Sequence, residues 1–351
     1  MKNLEEFDSA DAVIDAIVKD IRIHLEKSNL TYKNKKVLIT GGAGFLGSFI
    51  CQVLVDQGAK KVMCYDNFSS GKKDNIEALL DRDNFVFHFY DVSEPFDPEE
   101  NVDIVMHMAS RASPFEFEHH PIQILKSNTL GTMNALEVAR KYDAIFFYTS
   151  TSEVYGNPDD SHVPTPETYW GHVNPVGPRS CYDEAKRAGE AYVKAYELEY
   201  DMPIRIARIF NTYGPRIRGG PLFGRVVPNF IEQALRNEDI SVFGDGQQTR
   251  SFTFVSDEIE GLLRLAHPDI PAKGEVINVG NNQENTVEEL AKYIIEMTGS
   301  SSEIKYFALP KDDPVRRCPV LDKAKNILNW QPRTSLEEGL RYTIAWFKYT
   351  L

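Results

Sequence analysis

The run Thr40-Gly41-Gly42-Ala43-Gly44-Phe45-Leu46-Gly47 constrains this chain more than any other stretch. It follows the apolar residues Val37-Leu38-Ile39 and leads into a helical pattern from Phe45 to Gln57. Gly42, Gly44 and Gly47 fit the spacing GxGxxG, and Gly41, Gly44 and Gly47 fit GxxGxxG. Glycines at a strand-to-helix turn let the backbone approach a pyrophosphate, whose charge then faces the helix N-terminus. The spacing alone is weak. Asp66 sharpens it, because it ends the next apolar run, Val62-Met63-Cys64-Tyr65, 19 residues past Gly47. An acid there accepts hydrogen bonds from adenosine ribose hydroxyls and repels a 2′-phosphate, so NAD is expected over NADP. GxxxxGK[ST] is absent, and no kinase- or ATPase-type phosphate loop is expected.

Short apolar runs alternate with helical stretches from Lys36 onward. Strands are expected at 37–40, 62–65, 85–89, 103–108, 144–149 and 204–210, with helices at 45–57, 121–141 and 182–200. This βαβ rhythm predicts an α/β protein with a Rossmann-type doubly wound parallel sheet. Beyond Asn211, Gly/Pro turns, short strands at 240–243 and 276–279, and helices at 226–236, 286–298 and 335–349 predict a smaller interleaved α/β domain. The expected division is a helical extension over 1–35, a dinucleotide-binding domain over 36–210, and a mainly substrate-binding domain over 211–351. In the extension, Ser9 is a candidate N-cap. Val13, Ile14, Ile17, Val18, Ile21 and Leu25 recur at helical spacing, for packing on the same domain or on a dimer partner.

Composition narrows the partners. The chain has 351 residues, with 39 Lys+Arg against 52 Asp+Glu and a net charge of −13. That balance opposes nucleic acid as a partner but leaves room for an anionic small molecule held by local arginines. No apolar run is long enough for a membrane helix. The acidic N-terminus lacks the pattern of a signal peptide, so a cytoplasmic setting is the expectation. Cys51, Cys64, Cys181 and Cys318 form no CxxC and the histidines no HExxH, so no metal is expected.

Tyr182 and Lys186 stand four residues apart on one face of a predicted helix. A nearby ammonium favours the phenolate, which makes a tyrosine a usable base. The expected strand upstream ends in Thr149-Ser150-Thr151-Ser152-Glu153, at the edge where open α/β sheets bind ligands. Glycine turn, strand-end hydroxyls and YxxxK in this order resemble the extended short-chain dehydrogenase/reductases, from about Lys36 to the C-terminus. The segment Tyr169-Trp170-Gly171-His172-Val173-Asn174-Pro175-Val176-Gly177-Pro178-Arg179-Ser180-Cys181-Tyr182-Asp183-Glu184 is similar to the signature of the UDP-glucuronic acid decarboxylase (UDP-xylose synthase) family. So are Thr151-Ser152-Glu153, Ala207-Arg208-Ile209-Phe210-Asn211-Thr212, Gly224-Arg225-Val226-Val227 and Gln248-Thr249-Arg250-Ser251-Phe252. Two segments depart from the family pattern: Arg111 stands where proline is usual, and residues 217–223 differ in length and composition.

The resemblance implies tightly held NAD, contacted by Gly41, Gly44, Phe45, Leu46, Gly47, Asp66, Asn67, Asp91, Val92, Met108, Ala109, Ser110, Ser127, Thr149, Tyr182 and Lys186. It implies Tyr182 as base, Lys186 as its partner, and Thr151 and Ser152 as hydroxyls on the reacting oxygen. Glu153 is implied as a negative charge beside the sugar carboxylate, and Arg250 as a partner of that carboxylate or of the diphosphate. Asn211, Arg225, Val226, Phe243, Arg250 and Arg317 are implied to hold a UDP-sugar. It also implies a homodimer through a four-helix bundle, formed from 121–141 and 182–200 with Ile122, Leu125, Leu130, Met133, Leu136, Val138, Tyr192, Val193 and Tyr196. A nucleotide-sugar 4-epimerase, a 4,6-dehydratase or an idle NAD-binding sensor remain alternatives. The single acid after the strand-end hydroxyls favours decarboxylation.

Overall fold

A computed structural model describes residues 7–220, 225–308 and 316–351. The first half of the chain runs α1 (Ala10–Lys27), β1 (Lys36–Thr40), α2 (Phe45–Asp56), β2 (Lys61–Asp66), β3 (Phe85–Phe89), β4 (Ile104–His107), α3 (Pro114–His119), α4 (Pro121–Asn128), α5 (Leu130–Lys141), β5 (Ile145–Thr151), α6 (Ser180–Tyr200) and β6 (Ile204–Ile209). One parallel sheet has the order Val276–Val279, β6, β5, β4, β1, β2, β3. The strand order reverses beside β1, between β2 and β4, and open α/β sheets bind ligands at the carboxyl ends there. Successive residues of each strand face opposite sides. Val37 and Ile39 therefore join one core while Leu38 joins the other, and Cys64 and Met63 divide in the same way. That double burial is why these strands read as unbroken apolar runs.

The expected helix 121–141 is broken at Thr129. The Thr129 hydroxyl donates to the Leu125 carbonyl at 2.6 Å, and Thr132 donates to that of Asn128 at 2.7 Å. Such bonds to the preceding turn bend helices. A helix not read from the sequence, Val255–Ala266, is buried along its whole length. Two of its three acids find partners inside the fold: Asp257 accepts the N–H groups of Arg333 (3.0 Å) and Thr334 (2.8 Å), and Glu260 accepts from Arg264 (2.8 Å).

The Ser9 side chain caps α1 by accepting the Ala12 N–H at 3.1 Å. The apolar stripe of α1 lies on α2, on the helix Val255–Ala266 and on the helix Leu336–Thr350, all within this chain. Each of its six covered aliphatic side chains contributes about 1.5–3 kcal/mol relative to exposure. Short strand groups carry the remainder: Thr249–Ser251 between Glu284–Thr286 and Arg316–Arg317, and Ile240–Phe243 beside Ile304–Phe307. Among the described residues no helix is long and apolar enough to cross a membrane.

Of the nine residues expected to meet a dimer partner, Met133 and Tyr196 are half-buried and the other seven divide into two groups. Leu136, Val138 and Val193 belong to the chain's own core, because α5 and α6 each turn one apolar face inward. Ile122, Leu125, Leu130 and Tyr192 remain exposed on α4, α5 and α6.

Candidate active site

The glycine turn is built for close approach. Gly41 has φ +73°, and a Cβ there would lie 2.8 Å from the backbone of Ala109. A Cβ on Gly47 would lie 2.2 Å from the Gly41 carbonyl oxygen. Gly44 caps α2 without a side chain, so no side-chain oxygen covers the N–H groups of the first turn, Phe45, Leu46 and Gly47. That leaves the turn open to an anion. The Asp66 carboxylate accepts the N–H of Ala43 at 3.0 Å and of Phe68 at 2.7 Å. Burial raises its pKa and those N–H donors oppose the rise. Its remaining acceptor capacity suits ribose hydroxyls. The chain's residues therefore fit a dinucleotide.

Neighbouring loops extend the cleft. The Thr40 hydroxyl accepts the N–H groups of Met108 (3.1 Å) and Ala109 (3.2 Å), locking β1 to the loop after β4. Ser110 accepts from Asn128 at 3.0 Å, Ser127 donates to Ile124, and Thr149 donates to the His107 carbonyl at 3.0 Å. Asn67 donates to Asp91 at 3.3 Å, beside the buried Val92.

Tyr182 and Lys186 occupy the first turns of α6 and are buried, at 7% and 3% exposure. Lys186 Nζ donates to the Thr149 carbonyl at 2.6 Å and lies 4.9 Å from the centre of the Tyr148 ring. Burial pulls the Lys186 pKa down to about 7, and Glu190 opposes that shift. Burial also raises the Tyr182 pKa. The Thr151 hydroxyl, Arg225 and Arg179 act the other way. The phenol's ionised form is thus favoured by Thr151 and two guanidinium groups, and burial outweighs them in the free chain. Phe117 stacks on Tyr182 with ring centres 5.1 Å apart and planes 21° apart.

After β5 the chain makes one tight turn, Ser152–Tyr155, in which the Thr151 hydroxyl accepts the Glu153 N–H at 3.3 Å. Glu153 is not a free negative charge. Arg179 Nη2 and Arg317 Nη2 each donate to its Oε2 at 2.5 Å, and Arg317 Nη1 pairs with its Oε1. Arg317 also donates to Ser152 at 3.3 Å, and burial lowers its pKa to about 9. The negative charge expected at Glu153 is thus paired within the free chain. Two arginines, 26 and 164 residues away in sequence, neutralise Glu153.

Arg225 donates to the Ala112 carbonyl at 3.0 Å, and Val226 begins the helix Val226–Leu235. Asn211 Nδ2 is buried without a hydrogen-bond partner. Arg250 donates to the Thr249 carbonyl at 2.9 Å, on a strand in register with Arg317. Phe243 is half-exposed against Phe307. All the residues implied for dinucleotide and sugar line one cavity of about 1540 Å3. Arg179 and Phe117 line it as well and carried no assigned role. The position of Arg179, one turn before Tyr182, was the available signal. The departing Arg111 pairs with Glu116 at 2.6 Å. In the other departing segment Ile217 is buried and Arg218 donates to the Ser70 carbonyl, while 221–223 lie outside the described residues.

A dinucleotide cradle, strand-end hydroxyls and a buried Tyr–Lys pair on one parallel sheet define the extended short-chain dehydrogenase/reductase class. The sequence model of the GDP-mannose 4,6 dehydratase family matches residues 38–343. UDP-glucuronic acid decarboxylase 1 of Xenopus tropicalis is 45% identical, over 90% of this chain and 73% of that protein. UDP-glucuronic acid decarboxylase 5 of Arabidopsis thaliana is 44% identical over 90% of both. The chain belongs to the UDP-glucuronic acid decarboxylase family. Among solved structures, UDP-glucose 4-epimerase of Thermotoga maritima with UDP-glucose is similar at a TM-score of 0.81 and 33% identity, over 90% of this chain and 99% of that one. UDP-glucuronic acid 4-epimerase of Bacillus cereus, in complex with UDP-glucuronic acid and NAD, is similar at a TM-score of 0.79 and 27% identity, over 90% and 100%.

Proposed function

We propose that this chain converts UDP-glucuronic acid to UDP-xylose and carbon dioxide. The observation that carries the reading is that Tyr182, Thr151 and the arginine-bound Glu153 face one cavity beyond the glycine cradle. The cradle and Asp66 would hold NAD, which would supply a hydride acceptor and return the same hydride, so that the net reaction is redox-neutral. Tyr182 removes the proton of the C4 hydroxyl, with Lys186 and Thr151 holding the phenol's surroundings. The C4 ketone lies β to the C6 carboxylate. When the C5–C6 bond breaks, its electron pair moves onto the C4 oxygen as an enolate and carbon dioxide leaves. The hydroxyls of Tyr182 and Thr151 hold that oxygen, and a proton then adds at C5. Arg225, Asn211 and Phe243 line the cavity where a nucleotide diphosphate reaches the second half of the chain.

A 4-epimerase reading is favoured by the similar solved structures. It needs the same Tyr182 and Lys186, but it retains the carboxylate. Trapping of labelled carbon dioxide from carboxyl-labelled UDP-glucuronic acid separates the two readings: release supports decarboxylation, and full retention of label contradicts it. We further assign a homodimer to the exposed apolar residues Ile122, Leu125, Leu130 and Tyr192, joined as a four-helix bundle. A reducing, cytoplasmic setting suits the four buried cysteines, which are free thiols.

A further inference from the structure

Arg179 is the last residue before α6 and stands one turn from Tyr182. Its guanidinium lies over the face of Phe117, 5.3 Å from the ring centre, and Phe117 in turn stacks on Tyr182. Its positive charge acts on the Tyr182 phenol together with that of Arg225. Arg179 spends Nη2 on Glu153, while its buried Nε has no hydrogen-bond partner. Asp183 is 3.9 Å from that Nε, too far to accept its proton. Glu153 does not need Arg179, because Arg317 already grips both of its oxygens. Three guanidinium groups, Arg179, Arg225 and Arg317, thus line one cavity with Glu153 and Tyr182, and Arg179 and Arg317 both pair with Glu153. The arrangement has spare donors and a spare positive charge beside the reacting hydroxyl.

We propose that Arg179 receives the substrate's own carboxylate and sets the preference for a uronic acid over a neutral hexose. This rests on the UDP-glucuronate reading above. The C6 carboxylate is two bonds from C4, the carbon whose hydroxyl meets Tyr182, so a receptor for it belongs within one helical turn of that tyrosine. In the free chain Glu153 holds Arg179 in place and occupies one of its donors. The substrate carboxylate takes Arg179 from Glu153, which stays on Arg317. Arg179 is thereby a specificity residue distinct from Arg250, whose Nη1 is turned to its own strand.

The test is calorimetric binding of UDP-glucuronic acid and UDP-glucose to the NAD-saturated protein carrying Tyr182→Phe, which blocks turnover, alone and combined with Arg179→Gln or Arg179→Lys. The Tyr182→Phe protein binds the uronate more tightly. Arg179→Gln weakens uronate binding about 10- to 100-fold, as expected for losing a charged hydrogen bond, and leaves UDP-glucose binding unchanged. Arg179→Lys keeps part of the preference, and it carries the test alone if the glutamine variant does not fold. Equal weakening for both sugars, or an unchanged uronate affinity, overturns the proposal. A parent protein that releases no carbon dioxide from UDP-glucuronic acid overturns the functional reading itself, before any variant is compared.

Discussion

Lys186 Nζ reaches across from the second turn of α6 to the Thr149 carbonyl, 2.6 Å away, and so ties that helix to the end of β5. The bond places a cation inside the protein at a cost that follows pH. The folded pKa of about 7 lies below the ordinary 10.5 because of burial. Between those values the unfolded chain binds more protons than the folded one, so this residue's contribution to stability rises with pH across that window and is lowest below it. Lys186→Met is therefore expected to melt at a higher temperature than the parent at pH 6. The gap narrows towards pH 10, while turnover falls about 100- to 10,000-fold. Scanning calorimetry at several pH values checks this, and a gap independent of pH contradicts it.

Asp66 spends carboxylate oxygens on the N–H groups of Ala43 and Phe68 at the end of β2, and these donors favour its ionised form. A 2′-phosphate placed there meets a buried like charge. Thermal-shift titrations are expected to show stabilisation by NAD at concentrations where NADP has no effect, and Asp66→Asn is expected to narrow that difference. Equal stabilisation of the parent by both dinucleotides refutes the assignment.

The exposed Leu125 and Tyr192 belong to the face assigned to the partner, whereas Leu136, Val138 and Val193 do not. Leu125→Asp is expected to yield monomers in light scattering at micromolar concentration, with the fold retained. Leu136→Asp unfolds the chain instead, because it places a charge in the core. A parent protein that is monomeric at that concentration counts against the dimer.

Glu153→Gln is expected to separate oxidation from carbon loss. Tyr182, Lys186 and Thr151 remain, so C4 oxidation persists and reduced-nicotinamide absorbance accumulates. Removing the charge that organises Arg317 and Ser152 slows carbon dioxide release about 100- to 1000-fold. Stopped-flow absorbance alongside trapped carbon dioxide measures both steps. Carbon dioxide release at the parent rate would show that Glu153 has no part in the second step.

The parts of the fold carried by local pattern were legible in the sequence. Gly41, Gly44, Gly47 and Asp66 announce themselves by spacing, since backbone sterics at one turn demand them. Tyr182 and Lys186 do so by helical periodicity. Legibility ended where partners are distant. The grip of Arg179 and Arg317 on Glu153 joins three elements that no local rule connects. The helix Val255–Ala266 escaped for a related reason: Asp257, Glu258 and Glu260 suggest a solvated face, yet the fold buries them, with Arg264, Arg333 and Thr334 satisfying Asp257 and Glu260. The inward faces of α5 and α6 were misallocated because an apolar stripe does not say which neighbour covers it.

Decarboxylation through a C4 ketone makes one direct demand on the product. The C5 proton must come from solvent after the C5–C6 bond breaks. The decisive measurement is proton NMR of the product formed from UDP-glucuronic acid and NAD in deuterium oxide. The account predicts UDP-xylose carrying a single deuterium at C5, formed in step with carbon dioxide. A product that keeps its carboxylate, inverted at C4 and bearing no deuterium at C5, would contradict it.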